Sequence, residues 1–458
     1  MKEGTASVDV GAAIEGGRLR RFHFQLVFWS MVIMVFDGFD QQMIGYVAPS
    51  VIRAWHIASP AFVPVFTTSM VGMMLGATLG GSAADRYGRR TMMIAGMAVF
   101  GLFTLAAAWA TTIASLSVLR LLAGIGVGFA VPNALALTAE YAPKRQRATL
   151  ITIMFLGYTI GGAAGGWAAA ALIPRFGWPA MFVVGGVLPL ALLPAAFFVL
   201  PESIRFQLLR HGDVAAVREK LARIVPDLRI GPDTRLVARE EVRKGQPVCH
   251  LFTEGRASFT LLLWITFVAN LMTLTFVMTW LPTVIANAGI PLTRAVIVSS
   301  FFQVGGIVGG VVISRLLDRG TIRPLAAFFG GAALSIALIG SIGNNPLLLD
   351  CVVFAAGLFV VGGQFGLNAL ASSAYPTFIR STGTGWAMGI GRLGAIIGPV
   401  IGGILISLAL PQQTLFLYGA VPMLTGCAAI VAMITKGRHE PRDADVQQPI
   451  AEDALNSH

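Results

Sequence analysis

Twelve stretches of this chain are apolar and long enough to cross a bilayer, and this constrains the fold more than any other feature. At roughly 20 apolar residues per crossing, they lie near 24–48, 62–84, 91–110, 114–138, 149–172, 178–200, 258–286, 295–317, 324–342, 347–372, 382–408 and 413–435. Hydrocarbon offers no water to backbone N–H and C=O groups, so each stretch must satisfy its own, and a helix does so. Of the 458 residues, 55% are hydrophobic and only 12% charged, a balance foreign to soluble globular proteins. The 53 glycines and 23 prolines would weaken soluble helices. Between membrane helices, small residues permit close approach, and neighbours re-satisfy the backbone groups that proline frees.

The net charge of +11 has a distribution that argues against nucleic-acid binding. Of the 33 Lys and Arg, 28 fall in the two tails and in alternate loops. Only Arg53, Arg175 and Arg294 lie on the opposite side, while Arg120 and Arg392 lie inside spans. The positive-inside rule then predicts both termini and the central loop in the cytoplasm, with the chain multi-pass in the inner membrane. The first 23 residues are polar and basic, without the apolar core and cleavage site of a secretory signal. Cys249, Cys351 and Cys427 are scattered and odd in number, which gives neither a disulfide framework nor a metal spacing.

Residues 201–257 interrupt the apolar pattern and divide the spans six and six. The expected division is a cytoplasmic tail 1–23, a first bundle 24–200, a central loop 201–257, a second bundle 258–436 and a tail 437–458. The segment Ile204 to Val225 reads as short amphipathic helices. Asp85-Arg86 closes span 2 and Asp318-Arg319 closes span 8, 233 residues later. Tyr141 near the end of span 4 and Tyr375 near the end of span 10 are 234 apart. Landmarks in register mark a repeat. The predicted fold class is therefore an all-α membrane protein, twelve transmembrane helices in two six-helix bundles related by pseudo-two-fold symmetry. Such repeats usually hold their substrate at the shared interface near the midplane.

Span 1 contains Asp37-Gly38-Phe39-Asp40. Residues three apart share a helix face. An ionised Asp at a bilayer centre costs roughly 2.5–3.5 kcal/mol on insertion scales, so the pair must face a protein interior or an aqueous cavity. It predicts a site for protons, cations or a charged solute, with a hydrogen-bonded bridge between helices or a sodium site as alternatives. Arg120 lies about 9 Å from the outer end of span 4 at 1.5 Å per residue, where it either binds an anion or snorkels outward. Arg392 lies deeper. A guanidinium suits a carboxylate because its planar fork donates two hydrogen bonds.

Gly81-Ser82-Ala83-Ala84-Asp85-Arg86-Tyr87-Gly88-Arg89-Arg90 resembles the loop 2–3 signature of the major facilitator superfamily, G-x-x-x-D-R-x-G-R-R. In it, Gly81 is expected to allow close helix contact, Asp85 to pair with a basic neighbour, and the arginines to anchor the cytoplasmic face. The second copy keeps Asp318-Arg319 but lacks the opening glycine and the basic end. Arg120, Gly124, Gly126 and Gly128, followed by Glu140-Tyr141-Ala142-Pro143, resemble the superfamily's fourth helix, and Pro201-Glu202-Ser203 its exit into the central loop. Asp37-Gly38-Phe39-Asp40, with Arg120 and Gly391-Arg392-Leu393-Gly394, is similar to the aromatic acid:proton symporters. The resemblance implies uptake of a benzoate-like or hydroxylated aromatic carboxylate. It implies proton coupling and substrate binding at Asp37 and Asp40. It also implies a conformational switch at Gly81, Asp85 and Arg86, with Arg89, Glu140, Asp318 and Arg380 as further charged positions.

Among the aromatic and polar residues inside spans, Phe39, Tyr158 and Gln303 are taken with Asp40, Arg120 and Arg392 as the substrate-binding set. Ring stacking competes with helix packing at each aromatic, and hydroxyl binding with helix bridging at Gln303. Glu140 is expected to pair with cytoplasmic arginines, and Asp350 to be solvated. The charges of Asp37, Asp40, Arg120 and Arg392 cancel. An entering carboxylate then competes with an aspartate for an arginine, and the displaced aspartate takes up a proton; which aspartate does so stays open. Protons are the coupling ion, no cofactor or metal is expected, and the working unit is a monomer. A proton-coupled drug or metabolite antiporter and a carrier of another organic acid remain alternatives. A membrane sensor lacks a sizeable signalling domain, and an enzyme lacks a nucleophile–base set, a metal spacing or a nucleotide loop.

Overall fold

The computed structural model describes residues 7–208, 214–225, 234–237, 249–253, 255–317, 321–342, 345–375 and 380–435. A strand β1 (Ser7–Asp9) and a short helix α1 (Val10–Glu15) precede the first long helices. These are α2 (Arg21–Ala54), α3 (Val63–Tyr87), α4 (Arg89–Ala106), α5 (Ile113–Tyr141), α6 (Arg147–Phe176) and α7 (Pro179–Val199). The connecting segment holds α8 (Ile204–Phe206), α9 (Val214–Ile224) and a second strand, β2 (Arg235–Val237). The second set comprises α10 (Ala257–Asn287), α11 (Leu292–Leu317), α12 (Arg323–Ile339), α13 (Pro346–Ala374), α14 (Arg380–Ser407) and α15 (Gln412–Thr435).

The ends of these helices follow local chemistry. Thr112 begins α5 with a side chain that accepts from the Ser115 N–H at 3.1 Å, a capping arrangement. Asn345 accepts from the Leu348 N–H at 3.2 Å ahead of Pro346, the first residue of α13. Gly88 ends α3 at φ 94°, a conformation that side chains with a Cβ resist. Among the described residues, eleven helices are apolar and long enough to cross a membrane. The twelfth, α12, has 17 residues, about 26 Å at 1.5 Å per residue. It stops three residues short of the expected span 9, at Gly340.

The two halves repeat contact by contact. In the first, α2 packs on α6, α3 on α5 and α4 on α7; in the second, α10 packs on α14, α11 on α13 and α12 on α15. The close approaches repeat as well. Gly72 and Gly76 of α3 lie on the backbone of Leu121 and Ile125, and Gly305 and Gly309 of α11 lie on that of Phe354 and Leu358. Gly161 of α6 lies on Val35, and Gly394 of α14 on Val268. All these partners are 233 residues apart between the halves. Gly81, expected to make the close contact, instead faces open space, with nothing within 4 Å of where a Cβ would stand. The contact belongs to Gly72 and Gly76, because Gly81 falls off the row that faces α5.

The bundles meet through α2 with α10, α6 with α11 and α3 with α14. Their joined ends lie opposite the end from which both termini leave. There the Phe66 ring sits edge-on to Trp280, with centroids 5.2 Å apart. Trp280 Nε1 donates to the Pro399 carbonyl at 2.9 Å, and Val63 covers Gly403. This far end is closed. Large apolar side chains such as Phe198, Leu334 and Trp167 are exposed on the outside of the helices, as suits a lipid solvent. At the terminal end the first described residues dock rather than trail away. β1 pairs in parallel with β2, Ser7 opposite Arg235. Val10 and Ile14 bury themselves with Val217, Leu221, Ile224 and Leu236.

Candidate functional site

The site begins at Gly38. Its Cα faces the Tyr158 carbonyl with no room for a side chain, so α2 and α6 touch at the level of the acids. Asp37 and Asp40 are 4% and 1% exposed. On α5, Arg120 is completely buried, which removes snorkelling as its reading. Its Nη1 donates to Asp40 Oδ1 at 2.8 Å and its Nη2 to Asp40 Oδ2, a bidentate pair. Nη2 also donates to Ser69 Oγ of α3 at 3.1 Å. Three helices of one bundle are thus tied at a single guanidinium.

Asp37 is differently placed. Its Oδ1 has no hydrogen-bond partner among the described residues. The opposite charge that acts on it is Arg392, half-buried on α14 of the other bundle. Arg392 makes no ion pair among the described residues. A small gap inside the first bundle borders Asp37, walled by Ile33, Phe36, Met97, Phe100, Val127 and Val131. One acid is neutralised within its bundle, and the other has as its opposite charge an arginine of the second bundle that could accept an anion. Among the described residues no three His, Cys, Asp or Glu come together as a metal site.

Of the other expected residues, Tyr158 and Gln303 lie at the interface. The Tyr158 hydroxyl approaches Met278 Sδ at 3.8 Å, from α6 to α10. Gln303 is fully buried against Gly162. Phe39 does not join them. Its ring fills the notch over Gly165 and Gly185 inside the first bundle, because a residue two positions from Asp37 points to another helix face. Asp350 is not simply solvated: Arg294 Nη2 donates to its Oδ2.

A second polar cluster stands at the terminal end. Arg89 Nη1 donates to Glu140 Oε2 at 2.6 Å and to the Ala136 carbonyl at 3.1 Å. Ser203 Oγ donates to the same carboxylate at 2.8 Å, and the Arg205 N–H donates to it at 3.1 Å. Glu202 Oε1 accepts from the Arg90 N–H at 3.1 Å, at the start of α4, where a negative charge suits the helix dipole. The exposed Arg86 lies over the Tyr87 ring, 5.3 Å from its centre. The side chains of Asp85 and Arg380, and Asp318 altogether, lie outside the described residues. Sequence reasoning missed Ser69, one of three consecutive hydroxyl residues, Thr67-Thr68-Ser69, of which nothing in the sequence singles it out. Pro201-Glu202-Ser203 is the legible signal for the Glu202 and Ser203 contacts.

Residues 30–392 match the Major Facilitator Superfamily. The chain is 38% identical to the gallate transporter of Pseudomonas putida over 93% of its own length and 95% of the relative's. It is 37% identical to the 4-hydroxybenzoate transporter of Acinetobacter baylyi, covering 88% and 89%. The chain belongs to the major facilitator superfamily. Within it, the chain groups with relatives named as aromatic-acid transporters. It is a multi-pass membrane transport protein, not an enzyme. The superfamily fold is also seen in the crystal structure of a D-xylose-proton symporter, at TM-score 0.66 and 17% identity, covering 91% of this chain and 98% of that one. The partially occluded, inward-open xylose transporter of E. coli gives TM-score 0.70 at 16% identity, covering 91% and 98%.

Proposed function

We propose that this facilitator imports an aromatic carboxylate of the benzoate or hydroxybenzoate class together with protons, across the inner membrane, by alternating access. The carrying observation is the unequal acid pair: Asp40 locked to Arg120, and Asp37 with an unpaired oxygen opposite Arg392. The names of its relatives, transporters of gallate, 4-hydroxybenzoate and benzoate, support the substrate class. The basic loops support cytoplasmic termini, so the closed far end faces outward.

In this reading the substrate carboxylate takes Arg392 as its partner. Asp37, losing the arginine's field, takes up the proton, and the loaded cavity stays neutral. Asp40 and Arg120 remain paired and hold α2, α3 and α5 as one body. Bundles 24–200 and 258–436 rock about the interface, with segment 201–257 linking them as a monomer. The Arg89–Glu140–Ser203 cluster, with Gly81, Asp85, Arg86, Asp318 and Arg380, acts as the switch at the cytoplasmic end. Tyr158 and Gln303 stand where the bundles meet, within reach of a substrate held between them. Protons replace any cofactor.

One proton per monoanion makes the cycle electroneutral; a second would add about 2.3 kcal/mol per 100 mV. The test is uptake of radiolabelled benzoate, 4-hydroxybenzoate and gallate into transport-null cells or vesicles. An inward proton gradient is expected to drive accumulation, and a protonophore to abolish it. Accumulation indifferent to the gradient, or efflux under it, would overturn the reading.

A further inference from the structure

Gln42 of α2 and Gln303 of α11 come from opposite bundles and lie against the same residue, Gly162 of α6. A methyl group there would meet the Cγ atoms of both at 3.0 Å. Gln303 is 0% exposed, and neither of its amide atoms has a hydrogen-bond partner among the described residues. Gln42 is 2% exposed and leaves its Oε1 unpaired. The nearby Tyr46 hydroxyl is already used, donating to the Gly162 carbonyl at 3.2 Å. An adjoining narrow cleft, closed against itself in this state, is lined by Gln42, Tyr46, Val277, Met278, Leu281 and Phe302 among others.

Buried amides are normally paired. Had these two served only to bridge the bundles, they would bond to each other or to backbone across the interface. They do neither, and a side chain on the glycine between them would run into both. The three free atoms include one donor group and two acceptors. A phenolic hydroxyl both donates and accepts, so it can satisfy an amide N–H and an amide oxygen together. The placement fits as well. Gln42 is five residues beyond Asp37, about 7.5 Å farther along the helix at 1.5 Å per residue. A ring whose carboxylate meets Arg392 beside Asp37 would carry a meta or para substituent toward the two amides. The apolar walls of the cleft would flank the ring.

We propose that Gln42 and Gln303 form a hydroxyl-reading subsite, so that the carried acid is ring-hydroxylated. This inference rests on the aromatic-acid carrier reading and names the substrate more narrowly. A site built to bond a hydroxyl discriminates strongly against the analogue lacking it, because its buried polar groups are then left unpaired. Drawing one amide from each bundle also makes the hydroxyl a strut across the interface at the closed end.

The experiment compares initial uptake of benzoate, 3-hydroxybenzoate and 4-hydroxybenzoate by the wild type, Gln42→Met and Gln303→Met in transport-null cells. Methionine keeps length and flexibility while removing the amide. The wild type is expected to favour a hydroxylated acid over benzoate. Each variant should lower that preference by roughly tenfold or more in kcat/KM. The preference is a ratio within each variant, so expression level does not move it. Should a Met variant fail to reach the membrane, Gln303→Asn, which withdraws the amide by one carbon, is read by the same ratio and should lower it too. An unchanged ratio, with uptake intact, overturns the subsite and leaves the carrier standing. Uptake of none of the three acids by the wild type overturns both.

Discussion

Asp37 and Asp40 stand less than one helical turn apart, yet their surroundings assign them different work. Asp40 is half of a bidentate pair in which Arg120 is wholly buried. Removing one partner of such a pair leaves an uncompensated buried charge, at a cost of about 3–5 kcal/mol. Asp40→Asn is therefore expected to lower the melting temperature of the detergent-purified protein and to abolish transport. Adding Arg120→Gln should recover part of the lost stability and none of the transport; a double variant as unstable as the single would refute the pairing. Asp37 has an oxygen unpaired among the described residues, and its opposite charge, Arg392, belongs to the other bundle. Asp37→Asn should fold normally, exchange labelled for unlabelled substrate at equal pH, and fail to accumulate it against a gradient. Accumulation surviving in Asp37→Asn would move the proton elsewhere. The acids and arginines were legible in the sequence because a charge within an apolar run has few tolerable locations. Phe39 and Ser69 were not. Which way a ring points, and which hydroxyl of Thr67-Thr68-Ser69 meets a guanidinium, depend on helix rotation that a run of letters does not carry.

Helix contacts turn on which glycines face a neighbour. Gly38 has the Tyr158 carbonyl against its Cα, whereas Gly81 faces open space. Gly38→Ala should therefore push α2 from α6 and lose about 1–3 kcal/mol, the usual range for overpacking. Gly81→Ala should be neutral or gain up to about 1 kcal/mol from helix propensity. Thermal unfolding of the two variants in detergent checks the contrast, and equal losses would contradict the assigned facing. The long helices were legible because hydropathy is summed over some twenty residues. The short elements at the terminal end were less so. The amphipathic pattern before Val225 pointed to helices, and α9 occupies part of it. The strands β1 and β2 have 3 residues each, too few to show an alternating pattern, and their pairing joins positions more than two hundred residues apart. Hydrophobic contact among Val10, Ile14 and Leu221, not local propensity, settles where they lie.

On the scale of the whole molecule, the repeat fixes what must move. Each half is tied internally by the same glycine contacts, 233 residues apart, so in the proposed cycle each is expected to move as a unit while the interface between them changes. The far end is where that interface is closed, through Phe66, Trp280 and the contact of Val63 with Gly403. A Cβ built on Gly403 would lie 3.7 Å from Val63 Cβ, and disulfides join Cβ atoms about 3.8 Å apart. In a background with Cys249, Cys351 and Cys427 replaced by serine, Val63→Cys with Gly403→Cys should cross-link on mild oxidation. Transport should stop when the bond forms and return on reduction, since the far end must part to admit substrate from that side. Each single cysteine should be insensitive to the same oxidant. Gly403→Cys alone must seat a side chain that crowds Val63 Cγ2, so its activity before oxidation is the baseline for the pair. Full transport by the cross-linked protein would mean that the two bundles do not separate at this end, and the alternating-access mechanism would have to be abandoned for this chain.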